Sequence, residues 1–225
     1  MEILTVSDAP VFPGAGDLNA KSLRDSDSFG MVHFTLPPGG FIALHNMPFE
    51  VCFLVLSGMG TLIVNDSNHE INNDHCVRCR PSARRGWRNF SATDDLRVLV
   101  LKIKKEINGE GQVMETRELS QEKPAKNPHG VDVRRVYESE YALSSIITMK
   151  PGEKLIRHIT PVDVFFYVIS GTGVVEIGEE RKTVTADTVI DSPKGIPHCW
   201  YNESDDELKV LVVKIPKPTT PTQLL

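Results

Sequence analysis

Asp187-Thr188-Val189-Ile190-Asp191-Ser192-Pro193-Lys194-Gly195-Ile196-Pro197-His198-Cys199-Trp200-Tyr201-Asn202 is the stretch whose reading decides the fold. β-Branched residues open it, Pro193 and Gly195 build a tight turn, and a histidine opens the strand that follows. Working back, His158 precedes another apolar run, which closes on Ser170-Gly171. Antiparallel strands that bring His158 and His198 together supply the first candidate site.

A second copy of the stretch runs from Asp74 to Asn89. Asp74, Trp87 and Asn89 pair with Asp187, Trp200 and Asn202. Pro38-Gly39 recurs as Pro151-Gly152, His45 as His158 and Pro48 as Pro161. Val51 matches Val164, Phe53 matches Phe166, and Ser57-Gly58-Met59-Gly60 matches Ser170-Gly171-Thr172-Gly173. Each later residue lies 113 positions beyond its partner (45 and 158, 58 and 171, 89 and 202). Loss of one loop residue makes the spacing 112 where Leu96, Val98 and Val100 meet Leu208, Val210 and Val212. A period this long is a whole small domain rather than a solenoid unit. It predicts two similar domains, residues 1–112 and 113–225.

Within each half, apolar runs of strand length are broken by Gly, Pro, Asn and Asp about every eight to twelve residues. That rhythm predicts an all-β fold of barrels or sandwiches, not a parallel α/β sheet. In the first half the runs are 30–36, 50–56, 61–64, 76–79 and 96–103, and 3–7 is a further short strand. A charged linker follows over residues 104–126, within which 114–121 reads as a short helix. The proline-rich tail after Ile215 reads as extended chain.

The chain has 225 residues, 40% hydrophobic and 24% charged, the composition of a globular protein with a buried core. Its net charge of −5 and pI near 5.8 argue against nucleic acid or an anionic membrane as partner. No apolar run approaches the roughly 18 residues of a membrane span, and the N-terminus has no basic region followed by an apolar one. A cytoplasmic location is expected. Cys76 and Cys79 lack the second pair that a zinc site needs, and the four cysteines read as packing thiols.

These residues resemble the cupin superfamily, and specifically a bicupin, over nearly the whole chain. The superfamily's first motif is G-x5-H-x-H-x3,4-E-x6-G and its second G-x5-P-x-G-x2-H-x3-N. Gly152, His158 and Gly171 fit the first motif. Asp187, Pro193, Gly195, His198 and Asn202 fit the second, with aspartate in place of its opening glycine. The resemblance implies two tandem jelly-roll barrels related by duplication. It also implies a divalent metal held inside a barrel by two histidines, a glutamate and the second motif's histidine. Alternation along a strand aims such ligands to one face.

The four ligand slots here hold His158, Thr160, Val164 and His198 in the second half. In the first they hold His45, Met47, Val51 and Arg85. Asp163 and Glu50 stand one residue before the missing glutamate. A bulge at Pro161 would bring Asp163 beside His158 and His198, a two-histidine, one-carboxylate set suited to iron, manganese, nickel or zinc. A site without metal is the equal alternative. Arg85, in a histidine slot, suits a carboxylate or phosphate. His45, Phe53, Phe166 and Trp200 are the remaining candidate ligand contacts, the two phenylalanines by their inward alternation.

Three functions stay open. The chain binds a small molecule through a degenerate metal site. Alternatively it is a metal-dependent dioxygenase, decarboxylase, isomerase or lyase acting on a small acid or sugar derivative, with its site in the second barrel. Or it is a metal-independent epimerase or isomerase that uses a barrel histidine as base. A small-molecule ligand is the expected partner, and exposed sheet edges also allow a homodimer.

Overall fold

The computed structural model describes residues 1–13, 18–81, 83–105 and 112–225. The N-terminal lead-in and the charged linker lie partly outside these residues. Among the described residues every regular element is a strand. No helix is long and apolar enough to cross a membrane.

The chain divides into one unit of Ala9–Gln121 and a second of Glu122–Leu225 with Met1–Asp8. This differs from a division at residue 112 for two reasons. Met114–Glu118, expected as helix, is a strand that pairs antiparallel with His75–Cys79 of the first unit. Glu2–Thr5 pairs with Thr188–Ser192 of the second. In both cases an open sheet edge offers unpaired backbone groups, and at Met114–Glu118 completing that ladder overrides local propensity. The Arg78 guanidinium adds an ion pair to Glu115 at 3.1 Å.

Each unit is a pair of antiparallel sheets around its own core, so the fold is all-β with two tandem jelly-roll barrels. In the first, the six-stranded sheet centres on Glu50–Ser57, Leu96–Ile103 and Phe29–Leu36, and the four-stranded sheet carries Phe41–His45 and Arg85–Arg88. In the second, Asp163–Ser170, Leu208–Ile215 and Leu143–Met149 hold the equivalent places. Its five-stranded sheet includes Pro197–Tyr201, His158–Ile159 and, at one edge, Gln223–Leu224 from the tail. Side chains alternate along each strand, so Leu96, Val98 and Val100 enter one core and Leu208, Val210 and Val212 the other.

The duplication is visible atom by atom. Trp87 stands edge-on to Phe53 at 5.4 Å and 78°, and Trp200 to Phe166 at 5.4 Å and 77°. Asn89 donates from Nδ2 to the carbonyls of Leu36 and Asp94, while Asn202 donates to those of Met149 and Asp206. The motif asparagine, itself buried, thus ties an exposed loop to the barrel wall, satisfying backbone acceptors that the sheets leave over. Gly58 and Gly171 adopt φ of 81° and 84°, and an added Cβ at either would stand 2.4 Å from a backbone oxygen.

Candidate functional site

The Pro193–Ile196 turn leads directly into Pro197–Tyr201, and this strand sets His198 across from His158 as Cα partners. Their rings meet edge to face at 4.4 Å. The His198 Nδ1 lies 2.9 Å from the Ser192 hydroxyl, and its Nε2 3.5 Å from that of Thr160. Phe166, on the inner face of Asp163–Ser170, closes against the same imidazole at 5.5 Å.

A third histidine joins them. The His129 ring lies 4.8 Å from that of His158, although nothing in either sequence motif marks it. One peptide unit fixes both rings. The Ile156 N–H donates to His129 Nδ1 at 3.1 Å, and His158 Nδ1–H donates to the Ile156 carbonyl at 2.7 Å. A ring nitrogen that accepts must be unprotonated, and one that donates to a carbonyl must carry the proton. His129 is therefore protonated at Nε2 and His158 bare at Nε2. Two adjacent imidazoles are held in opposite tautomers.

Lys214 completes the polar wall. It is the inward residue two places beyond Val212, and its Cα partner across the sheet is Val164, the occupant of the glutamate slot. These groups share a cavity of about 380 Å³ with Leu155, Phe166 and Val212, to which Thr222 and Leu224 of the tail add a side. Among the described residues its lining contains no aspartate, glutamate or arginine.

Burial is the largest influence on each imidazole and works against its charged form. It pushes His198 down to about 3 and His129 to about 4, helped in both by His158 and Lys214. His158 is lowered for the same reason, with the Ile156 carbonyl opposing. Lys214 is lowered by burial and by Arg135. At neutral pH the wall thus presents three uncharged imidazoles and one ammonium.

Asp163 is not part of this wall. The register of Asp163–Val168 against Ile215–Val210 runs without a bulge, so alternation keeps Asp163 on the outer, exposed face. Its Oδ1 accepts the Lys194 N–H at 2.9 Å. Glu50 is likewise turned away from the barrel and accepts from Arg78 Nε at 2.7 Å. The donor set does not fit a divalent metal. His158 and His198 supply two nitrogens, His129 presents an N–H, and the nearby ammonium repels a dication. Among the described residues no three His, Cys, Asp or Glu side chains are placed to share an ion.

The remaining candidates are scattered. Phe53 and Phe166 line the two cavities as alternation requires. His45 sits at the exposed rim of the first barrel with Nδ1 3.0 Å from the Ala43 carbonyl. Arg85 is fully buried at 0% exposure and does not line the cavity of the first barrel. It donates from Nη1 to the Arg80 carbonyl at 2.9 Å and leaves Nε and Nη2 without partners among the described residues. Trp200 packs in the core behind Phe166 and does not line the cavity.

Residues 145–214 match the family model described as "Cupin domain". No curated protein sequence matches the chain. AerE from Microcystis aeruginosa superposes with a TM-score of 0.77 at 13% identity, covering 93% of this chain and 97% of that one. A single-residue variant of oxalate decarboxylase from Bacillus subtilis gives 0.78 at 14% identity, with 100% and 79% covered. The B. subtilis enzyme is one with Mn(II) centres. Ylba from E. coli gives 0.77 at 16% identity, with 97% and 92% covered. At these identities the likeness is one of fold.

Proposed function

We propose that the second barrel, whose residues 145–214 match the cupin-domain model but whose cavity lacks that family's full metal-ligand set, binds a small carboxylate. The observation that carries the reading is the cavity wall: one lysine ammonium and three uncharged imidazoles, with no acidic side chain among the described residues. The carboxylate pairs with Lys214, and the His129 Nε2–H donates to a second oxygen or to a neighbouring carbonyl. Phe166, Leu155 and Val212 take the apolar part. A hydrogen bond to a charged group contributes about 1.5–3 kcal/mol, so Lys214 accounts for roughly ten- to hundredfold in Kd.

Titration calorimetry with benzoate and its neutral isostere benzamide tests this reading. Benzoate is expected to bind about tenfold or more tightly than benzamide, and Lys214→Met to abolish the difference. Equal affinity for the two compounds in the native protein would overturn it.

The opposite tautomers favour a second reading, proton transfer on a bound 2-oxo acid without metal. His158 Nε2 takes a proton from the carbon beside the carbonyl, while His129 Nε2–H donates to the carbonyl oxygen. In D2O, 2-oxobutyrate would exchange its C3 protons in the presence of the native chain and not of His158→Gln. Exchange at the same rate in that variant would sink this reading.

A further inference from the structure

The first barrel encloses a larger space, about 870 Å³, walled by Phe12, Phe34, Met47, Phe53 and Trp87. The inward series Leu96, Val98 and Val100 continues to Lys102, which lines the same cavity. Lys102 stands directly across from Val51, again the occupant of the missing glutamate's slot, so it is the counterpart of Lys214. It is only 6% exposed.

Its amine has few companions. Nζ lies 3.8 Å from the centre of the Phe12 ring, and no carboxylate among the described residues bonds it. Asp25, whose charge reaches Lys102, is taken by Lys104. A ring face replaces only part of the hydration that a buried ammonium loses. Burial accordingly holds Lys102 down to about 8, with Asp25 opposing. The cavity's other polar side chains, His45 and Asn46, are exposed at its rim. A large apolar chamber with one charge set into its wall is complementary to a molecule that is apolar over most of its surface and anionic at one end.

We infer that the first barrel is a second binding site, for an apolar monocarboxylic acid whose head group pairs with Lys102 and whose hydrocarbon part lies against Phe34, Phe53 and Trp87. The assignment is independent of the second barrel: the cavity is larger, and its interior lacks the imidazoles that suit a short, polar acid.

Calorimetry on the full chain with decanoate, decanol and decylamine tests it. Decanoate is expected to bind with one equivalent, and decylamine about tenfold or more weakly. Lys102→Met should weaken decanoate by a similar factor and leave decanol unchanged, which also shows that the variant is folded. Benzoate binding should be the same in Lys102→Met as in the native chain. Decanoate binding as tight in Lys102→Met as in the native chain, or weakened in Lys214→Met instead, would overturn the assignment. Failure of benzoate to bind leaves the decanoate result to be read by itself.

Discussion

Lys102 and Lys214 each occupy an inward position where an apolar residue would pack with less cost. For Lys102, a drop from 10.5 to about 8 corresponds to roughly 3 kcal/mol of stability. The unfolded chain holds the proton more tightly, so the penalty is full below about pH 8 and is relieved as pH rises toward 10.5. Lys102→Met should therefore raise stability at pH 7 by about 2–3 kcal/mol, measured by chemical denaturation, while weakening decanoate binding about tenfold. A variant less stable than the native chain would contradict this account of the residue. The imidazoles shift in the same direction. Each is uncharged in the fold above its depressed value, so stability is intact above pH 6.5 and declines as pH falls toward 4 and 3. Nitrogen-15 NMR at about pH 5 should find His129 and His198 neutral, with His129 protonated at Nε2. Titration of both near 6.5 would contradict it.

At the scale of elements, the structure separates what local chemistry encodes from what only assembly reveals. The turn around Pro193 and Gly195 was legible because it depends on neighbours close in sequence, and the paired tryptophans and asparagines because they recur at one spacing in both halves. Phe53 and Phe166 followed from alternation alone. Lys214 was within reach of the same rule, one step of two beyond Val212, but a charge at the end of an apolar run reads first as the strand's exit. His129 was not legible. It lies in a loop outside both motifs and meets His158, 29 residues on, only in the folded barrel. Residues 114–121 were misread because their charged composition suits a helix, while the open edge of His75–Cys79 decides the outcome. Asp163 kept the face that unbroken alternation gives it. The glycines can be ranked on the same physical basis. Gly171 and Gly195 both have positive φ, but only at Gly171 would a Cβ meet backbone, 2.4 Å from the Glu207 oxygen. Gly171→Ala should cost at least about 2 kcal/mol and Gly195→Ala about 1, read from denaturation midpoints. Equal costs would contradict the close approach as the cause.

For the molecule as a whole, the two barrels share their packing while the residues that line their cavities differ. In both barrels valine stands where the resemblance implies a glutamate, and a lysine stands across the sheet from that valine. The second barrel keeps two slot histidines and adds a third from a loop. The first has a buried arginine in the last slot and a wide apolar chamber. A lysine thus lines each of two different pockets, and the carboxylate binding proposed for both rests on it. The most direct test of that central claim is a calorimetric titration of EDTA-treated full chain, first with Mn(II) and then with benzoate. The account predicts no Mn(II) binding, followed by benzoate binding that Lys214→Met weakens about tenfold or more. Stoichiometric Mn(II) uptake, with benzoate binding that depends on it, would contradict the account.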